Sequence, residues 1–219
     1  IALLSVIYFR RLGLTEAGAK QRLGQTANPV RSVPKFFHQP RLRLAWFISF
    51  TRSAWWVTFF IYAPIYAVTS GLGELAGGYI VSLGVATVFT VTFWGRVARR
   101  KGVRHLLLRG FALGGIASLV FALIPAEGWT GVFILLFAAM CTASLDGAGN
   151  VAFLRAVRPS QQAQMAGVFG TYRDMSQLAV PAIAAIVLRA LPVPAVFGVA
   201  GAGMLMMAWF SRYLPRRLT

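Results

Sequence analysis

Six apolar stretches, each about as long as a membrane-spanning helix, constrain this chain more than any other feature of its sequence. A helix needs roughly 20 apolar residues to cross a bilayer, and none of the six stretches alternates as a β-strand does. We predict spans over Leu44–Thr69, Leu75–Trp94, Val103–Ile124, Trp129–Leu154, Ala163–Leu188 and Val193–Phe210. Charged residues are only 12% of the 219 residues, whereas a soluble domain carries roughly 25%. The sequence therefore predicts an all-α membrane protein with six transmembrane helices.

The basic residues are distributed unevenly between the two sides of these spans. The chain has 22 Lys and Arg against 5 Asp and Glu, a formal net charge of +17. Nineteen of the 22 flank the spans on one side, Arg189 is alone on the other side, and Arg52 and Arg173 lie inside spans. The side rich in Lys and Arg is expected to be cytoplasmic. Both ends of the chain are then expected to be cytoplasmic. The positive charge is explained by its position beside the membrane lipids, so we expect no nucleic-acid partner. We expect a multi-pass protein of the bacterial inner membrane.

Three segments lie outside the predicted bundle of residues 44–210. We interpret residues 1–9 as the end of a preceding transmembrane helix, with a short buried or interfacial helix as the alternative. Residues 10–43 form a basic cytoplasmic linker, in which Leu14–Leu23 can make a short amphipathic helix and Gln25–Pro40, with three prolines, should be irregular. Residues 211–219 form a basic cytoplasmic tail. Such a linker suits a connection between two membrane bundles.

Four ionisable residues lie within the spans, where charge is expensive and usually functional. Arg52 is on the first span, Asp146 on the fourth, and Arg173 and Asp174 on the fifth. All four lie about 12–15 Å from the cytoplasmic end of their span, at 1.5 Å per residue. Because their formal charges sum to zero, they could form a structural salt-bridge network, a substrate or proton site, or a cytoplasmic gate.

Aromatic and amide side chains share helical faces with these charges. The first span carries Arg52, Trp56, Phe59 and Tyr66 on one stripe, with Tyr62 beside it, and Asn150 and Gln177 follow Asp146 and Arg173 at i+4. Aromatic walls with a few polar anchors suit an amphipathic or apolar organic solute. The candidate cavity or gate residues are therefore Arg52, Trp56, Tyr62, Tyr66, Asp146, Asn150, Arg173, Asp174 and Gln177.

A basic, glycine-containing motif connects the second and third spans. The segment runs from Gly95 to Leu107 with the sequence GRVARRKGVRHLL. Two glycines, Gly95 and Gly102, should allow a sharp turn between antiparallel helices, and the basic cluster should contact helix ends and anionic headgroups. That contact could serve topology alone, or the cluster could take part in a conformational switch.

This motif and the six-span layout resemble the C-terminal half of a major facilitator superfamily transporter. The family's cytoplasmic motif reads roughly G-x-x-a-D-r-x-G-r-[RK]-x-x-l, and it is matched here at Gly95, Ala98, Arg100, Gly102, Arg104 and Leu107. Arg99 stands where the family has its acidic residue, so this chain cannot make the contact that uses that carboxylate. The resemblance implies that the six spans are helices seven to twelve. It also implies that the first, second, fourth and fifth of them line a central cavity, and the four charges respect that division.

The resemblance implies secondary active transport of a small organic solute by alternating access, in which the bundle moves against a second six-helix bundle. The alternative is a non-transporting assembly or scaffold subunit of a larger membrane complex with the same fold. Cys141 is the sole cysteine, and the sequence contains no nucleotide-binding loop and no nucleophile elbow. We therefore expect neither an enzyme nor a metal or organic cofactor, although proton or ion coupling is compatible with the two intramembrane aspartates.

Overall fold

The computed structural model describes residues 29–124, 128–148, 150–157 and 161–213, and it is helical throughout, with no strand in those ranges. The predicted helix end over residues 1–9 and the predicted helix Leu14–Leu23 lie outside the described residues. We number the α-helices α1 to α9 in chain order. They are Pro29–His38, Pro40–Thr69, Glu74–Ala86, Val91–Lys101, Val103–Leu123, Trp129–Asp146, Val151–Ala156, Gln162–Val187 and Val193–Phe210.

Five helical paths in the described part of the chain are long and apolar enough to cross a membrane. They are Pro40–Thr69, Glu74–Lys101, Val103–Leu123, Trp129–Ala156 and Val193–Tyr213. The fifth predicted span is present as α8, which is 26 residues long, but it is not among the five. Its mean hydropathy is too low because Arg173, Asp174 and Gln177 interrupt an otherwise apolar sequence.

The predicted irregular path of residues 25–40 is wrong for residues 29–38, which form a helix. Pro29 stands at the first helical position, where its missing N–H leaves no bond unmade. Phe36 is fully buried, and Ser32 accepts a hydrogen bond of 2.9 Å from Gln164 Nε2 on α8. Packing against α8 and α2 therefore stabilises a helix that three prolines in the sequence argue against. The next helix begins at Pro40, four residues before the predicted start of the first span.

The helices pack around two apolar cores. The larger core lies between α2, α5, α6 and α9, with Trp55, Phe111 and Phe197 fully buried. The smaller core joins α1 and the start of α2 to α7 and α8, where Phe153 and Phe169 stack at a centroid distance of 4.2 Å. Glycines allow a close approach at the α5–α9 contact, the most extensive between the described helices, where a Cβ atom on Gly201 would be 2.8 Å from the carbonyl oxygen of Gly115.

Two breaks in the predicted spans determine the shape of the site. In the second span a 3₁₀ turn, Thr87–Thr90, separates α3 from α4. The fourth span is interrupted after Asp146, since α6 ends there and α7 begins only at Val151. Gly147 follows the end of α6 and lies against the backbone of α4, where a Cβ atom would be 3.0 Å from Gly95 N. The end of α6 is thus pressed against the start of the basic motif.

Candidate functional site

An ion pair between α2 and α6 is the centre of the candidate site. Arg52 Nη1 lies 2.5 Å from Asp146 Oδ1, and the two side chains are 10% and 23% exposed. Trp56, one turn after Arg52, donates from Nε1 to the other carboxylate oxygen at 3.1 Å. Arg52 Nη2 in turn donates to Tyr172 Oη on α8 at 3.5 Å. Three helices are therefore joined through one guanidinium group.

A second polar contact joins α2 to α8 at Ser53, the residue after Arg52. Ser176 Oγ donates to the carbonyl oxygen of Arg173 on its own helix at 2.7 Å. The hydroxyl of Ser53 lies 2.7 Å from Ser176 Oγ, so Ser53 is the donor between the two helices. Arg52 Nε, by contrast, is buried and has no hydrogen-bond partner among the described residues.

These groups form one side of a pocket of about 350 Å³, within the range of roughly 300–1,000 Å³ usual for small-molecule sites. Four of the spans contribute to it: α2, the 3₁₀ turn after α3, α6 and α8. Its lining consists of Arg52, Ser53, Trp56, Val57, Phe60, Val88, Asp146, Tyr172, Arg173 and Gln177. Within the lining, one aspartate stands against two arginines, and the aromatic walls come from Trp56, Phe60 and Tyr172. The pocket thus combines a net positive charge with apolar surface.

Five of the nine predicted cavity residues line this pocket: Arg52, Trp56, Asp146, Arg173 and Gln177. Of the three alternatives for the four charges, a salt-bridge network of all four does not form, because Arg52–Asp146 is the sole ion pair in the described ranges. Both Arg173 and Asp174 are exposed, and Asp174 does not line the pocket. Arg173 and Asp174 lie at the same depth, but the side chains of adjacent residues in a helix point about 100° apart, so only Arg173 faces the pocket.

The other departures have equally local causes. Tyr62 and Tyr66 belong to the apolar core, and Tyr66 donates to the carbonyl oxygen of Gly128 at 3.4 Å. Asn150 does not share a helical face with Asp146, because α6 ends between them, and Asn150 is exposed. Phe60, rather than either tyrosine, forms the aromatic wall of the pocket beside Trp56. The sequence contains a signal for this, because Arg52, Trp56 and Phe60 follow one another at intervals of four residues on one helical face.

The basic motif is partly helical rather than a simple turn. Gly95 lies inside α4, contrary to the prediction that it helps form the turn, whereas Gly102 adopts a positive φ of 87° between α4 and α5. Arg99 and Arg100 are exposed in the last turn of α4, where cations interact favourably with the helix dipole, and Arg104 is half-buried on α5. Neither Arg99 nor Arg100 forms an ion pair within the part of the chain that the structure describes.

A bundle of apolar helices around a partly polar pocket is the arrangement of an integral, multi-pass membrane protein. The family model of the Major Facilitator Superfamily matches residues 1–181, and the chain belongs to this superfamily of transporters. The matched range includes every residue that lines the pocket. Comparison with curated proteins and with solved structures gives no significant match.

Proposed function

We propose that the protein is a secondary active transporter of small amphipathic organic solutes, with the pocket between α2, α6 and α8 as its solute site. The observation that carries the proposal is the pocket lining, in which apolar walls adjoin a net positive charge. The chain would act as the C-terminal six-helix bundle and would move against a second bundle by alternating access in the bacterial inner membrane. In this proposal the protein catalyses no reaction and requires no metal or organic cofactor.

Different side chains of the pocket would bind the polar group and the apolar body of the solute. Arg173 is exposed in the pocket and forms no ion pair in the described ranges, so its guanidinium is available to an anionic or acceptor group of the solute. Trp56 and Phe60 stack at a centroid distance of 5.4 Å and offer the apolar body a flat surface. A monocarboxylate with an aromatic or aliphatic body fits both features, and this is the solute class we propose.

The Arg52–Asp146 pair would link solute binding to movement of the helices. Both carboxylate oxygens of Asp146 accept hydrogen bonds from α2, so the pair holds α2 and α6 together. Protonation of Asp146, or competition by a solute carboxylate for Arg52, would remove the ionic attraction and let the two helices separate. Proton coupling through Asp146 is accordingly part of the proposal.

The test is uptake by membrane vesicles from cells that overproduce the protein, with a panel of radiolabelled aromatic and aliphatic monocarboxylates. We expect uptake by the unmodified protein and at least a tenfold loss in Arg173→Gln and in Asp146→Asn, since each lost charge-assisted bond is worth roughly 1.5–3 kcal/mol. Asp174→Asn is the matched control, because it removes a carboxylate of similar depth that does not line the pocket.

Two results would overturn parts of this proposal. Equal losses in Asp146→Asn and Asp174→Asn, at equal expression, would refute the pocket as the solute site. An absence of uptake for the whole panel would refute the solute class. If the protein transported nothing and purified in fixed stoichiometry with other membrane subunits, the scaffold alternative would be favoured.

A further inference from the structure

A second pocket lies on the outer face of the bundle, between α4, α5 and α6. It has a volume of about 420 Å³, and no residue of the Arg52–Asp146 site contributes to it. Its walls are predominantly apolar, with Phe93, Leu113 and Phe137 all about half exposed. Surfaces of this kind face the acyl chains in a membrane protein. We call this pocket the outer groove.

One end of the outer groove is basic. Lys101 ends α4, and His105 and Arg109 lie on the first turns of α5; all three are exposed and line the groove. The last two are four residues apart, and Leu113 continues the same stripe, so the lining changes from basic to apolar over about 12 Å along α5. No acidic residue lines the groove, and none of these three side chains forms an ion pair in the described ranges.

Of the three basic residues, Arg109 lies furthest along the third span and gives the strongest indication of an anionic ligand. It lies six residues beyond the start of the third span at Val103, about 9 Å along the helix, and it is exposed on the outside of the bundle. A cation at that depth beside an apolar surface is unfavourable unless its head reaches the interface or an anion meets it. The outer groove lets an anion at the membrane interface reach Arg109, since Lys101 and His105 extend the same basic stripe toward the end of the helix.

We propose that the outer groove binds one anionic glycerophospholipid from the surrounding leaflet. The phosphate would lie among Lys101, His105 and Arg109, and an acyl chain would follow Leu113 and Phe137 toward the centre of the membrane. A zwitterionic lipid fits less well, because the groove has no carboxylate for its ammonium group. A soluble anion would satisfy the basic end and leave the apolar walls unused.

Native mass spectrometry of the purified protein, titrated with phosphatidylglycerol or phosphatidylcholine, tests the proposal. We expect one tightly held phosphatidylglycerol and no comparable phosphatidylcholine. The triple variant Lys101→Gln, His105→Gln, Arg109→Gln should bind phosphatidylglycerol roughly 30-fold more weakly, because two full charges near a phosphate are removed. The control is Arg96→Gln, Arg99→Gln, Arg100→Gln, which removes three charges from α4 without altering the groove lining. That control should keep the bound lipid.

A second variant keeps every charge and tests the acyl-chain part. Leu113→Trp should fill the apolar end of the groove and weaken phosphatidylglycerol binding, whereas it should leave the binding of inorganic phosphate unchanged. Equal losses in the two triple variants would refute a specific groove and indicate general attraction to a basic surface. Binding of phosphatidylcholine or of inorganic phosphate as tight as that of phosphatidylglycerol would also overturn the proposal.

Discussion

Removing the carboxylate of Asp146 should destabilise the bundle because it strands a buried cation. In Asp146→Asn the side chain keeps its size and one acceptor oxygen, but Arg52 loses its sole ionic partner in the described ranges. Arg52 is only 8% exposed, so water cannot fully replace the carboxylate. Among the described residues, its remaining side-chain hydrogen bond to another helix is the long one to Tyr172.

The size of the effect follows from the burial of the two partners. Two unit charges about 4 Å apart attract by roughly 4 kcal/mol at an effective dielectric constant near 20. Breaking a buried pair on one side generally costs about 3–5 kcal/mol. The Asp146 side chain is 23% exposed to the pocket, so we expect the lower limit, about 3 kcal/mol, for Asp146→Asn. In the double variant Arg52→Gln, Asp146→Asn no unpaired charge remains, and the loss should be smaller than the sum of the two single losses by about 2 kcal/mol.

The chain carries its own reporter for this measurement. Cys141 is the single cysteine of the sequence, it is 8% exposed, and it lies on α6 five residues before Asp146. Cys141 is mostly buried but lines the outer groove, so a maleimide that fluoresces on reaction should label it slowly in the folded protein and rapidly on unfolding. Circular dichroism at the same temperatures distinguishes global melting from local opening. The midpoint for Asp146→Asn should fall by on the order of 10 °C. Asp174→Asn, which changes an exposed carboxylate, should shift it little. Equal midpoints for these two variants, or strict additivity in the double variant, would refute the buried-charge argument.

Two further predictions concern contacts that hold the helices of the main core together. Gly201→Ala would place a Cβ atom 2.8 Å from the carbonyl oxygen of Gly115. It should cost about 1–3 kcal/mol in the same melting assay. Gly167→Ala, where the added carbon meets no atom within 4 Å, is the control, and equal effects would show that α5 and α9 are not in tight contact. Ser118→Ala removes the acceptor of a 2.8 Å hydrogen bond from Trp55 Nε1 and leaves a buried donor unpaired, at a cost of about 1–3 kcal/mol. An unchanged midpoint would indicate another acceptor for the indole.

The sequence predicted the helices whose formation depends on local properties. The predicted span Val193–Phe210 has the same limits as α9, and Val103–Ile124 differs from α5 by one residue. Apolar content and length are enough for such segments, because a backbone in lipid must bond within itself. The helix Pro29–His38 could not be predicted in this way, since its three prolines in and around the segment favour a loop. What stabilises it is the burial of Phe36 against α8, a contact between distant parts of the chain.

The sequence predicted how far along their helices the site residues lie, but not the direction in which each side chain points. Counting residues along the spans brought Arg52, Asp146 and Arg173 to one level, and all three line one pocket. The same counting put Asp174 with them, although one residue further along a helix turns the side chain away. The expected alignment of Asn150 with Asp146 assumed an unbroken fourth span. Gly147, directly after Asp146, is the signal that could have predicted the end of α6.

That helix end connects the pocket to the basic motif through adjacent residues. Asp146 holds Arg52 on the pocket side, and the next residue, Gly147, packs against the backbone of Trp94 and Gly95 at the beginning of the motif. Because Gly147 has no side chain, the two backbones approach so closely that a Cβ atom at this position would be 3.0 Å from Gly95 N. We therefore expect a displacement of α4 to move Asp146, and loss of the Arg52–Asp146 pair to let the end of α6 follow α4. Arg99 stands at the position of the family's acidic residue, and we expect this backbone contact to couple the same segment to the pocket in its place.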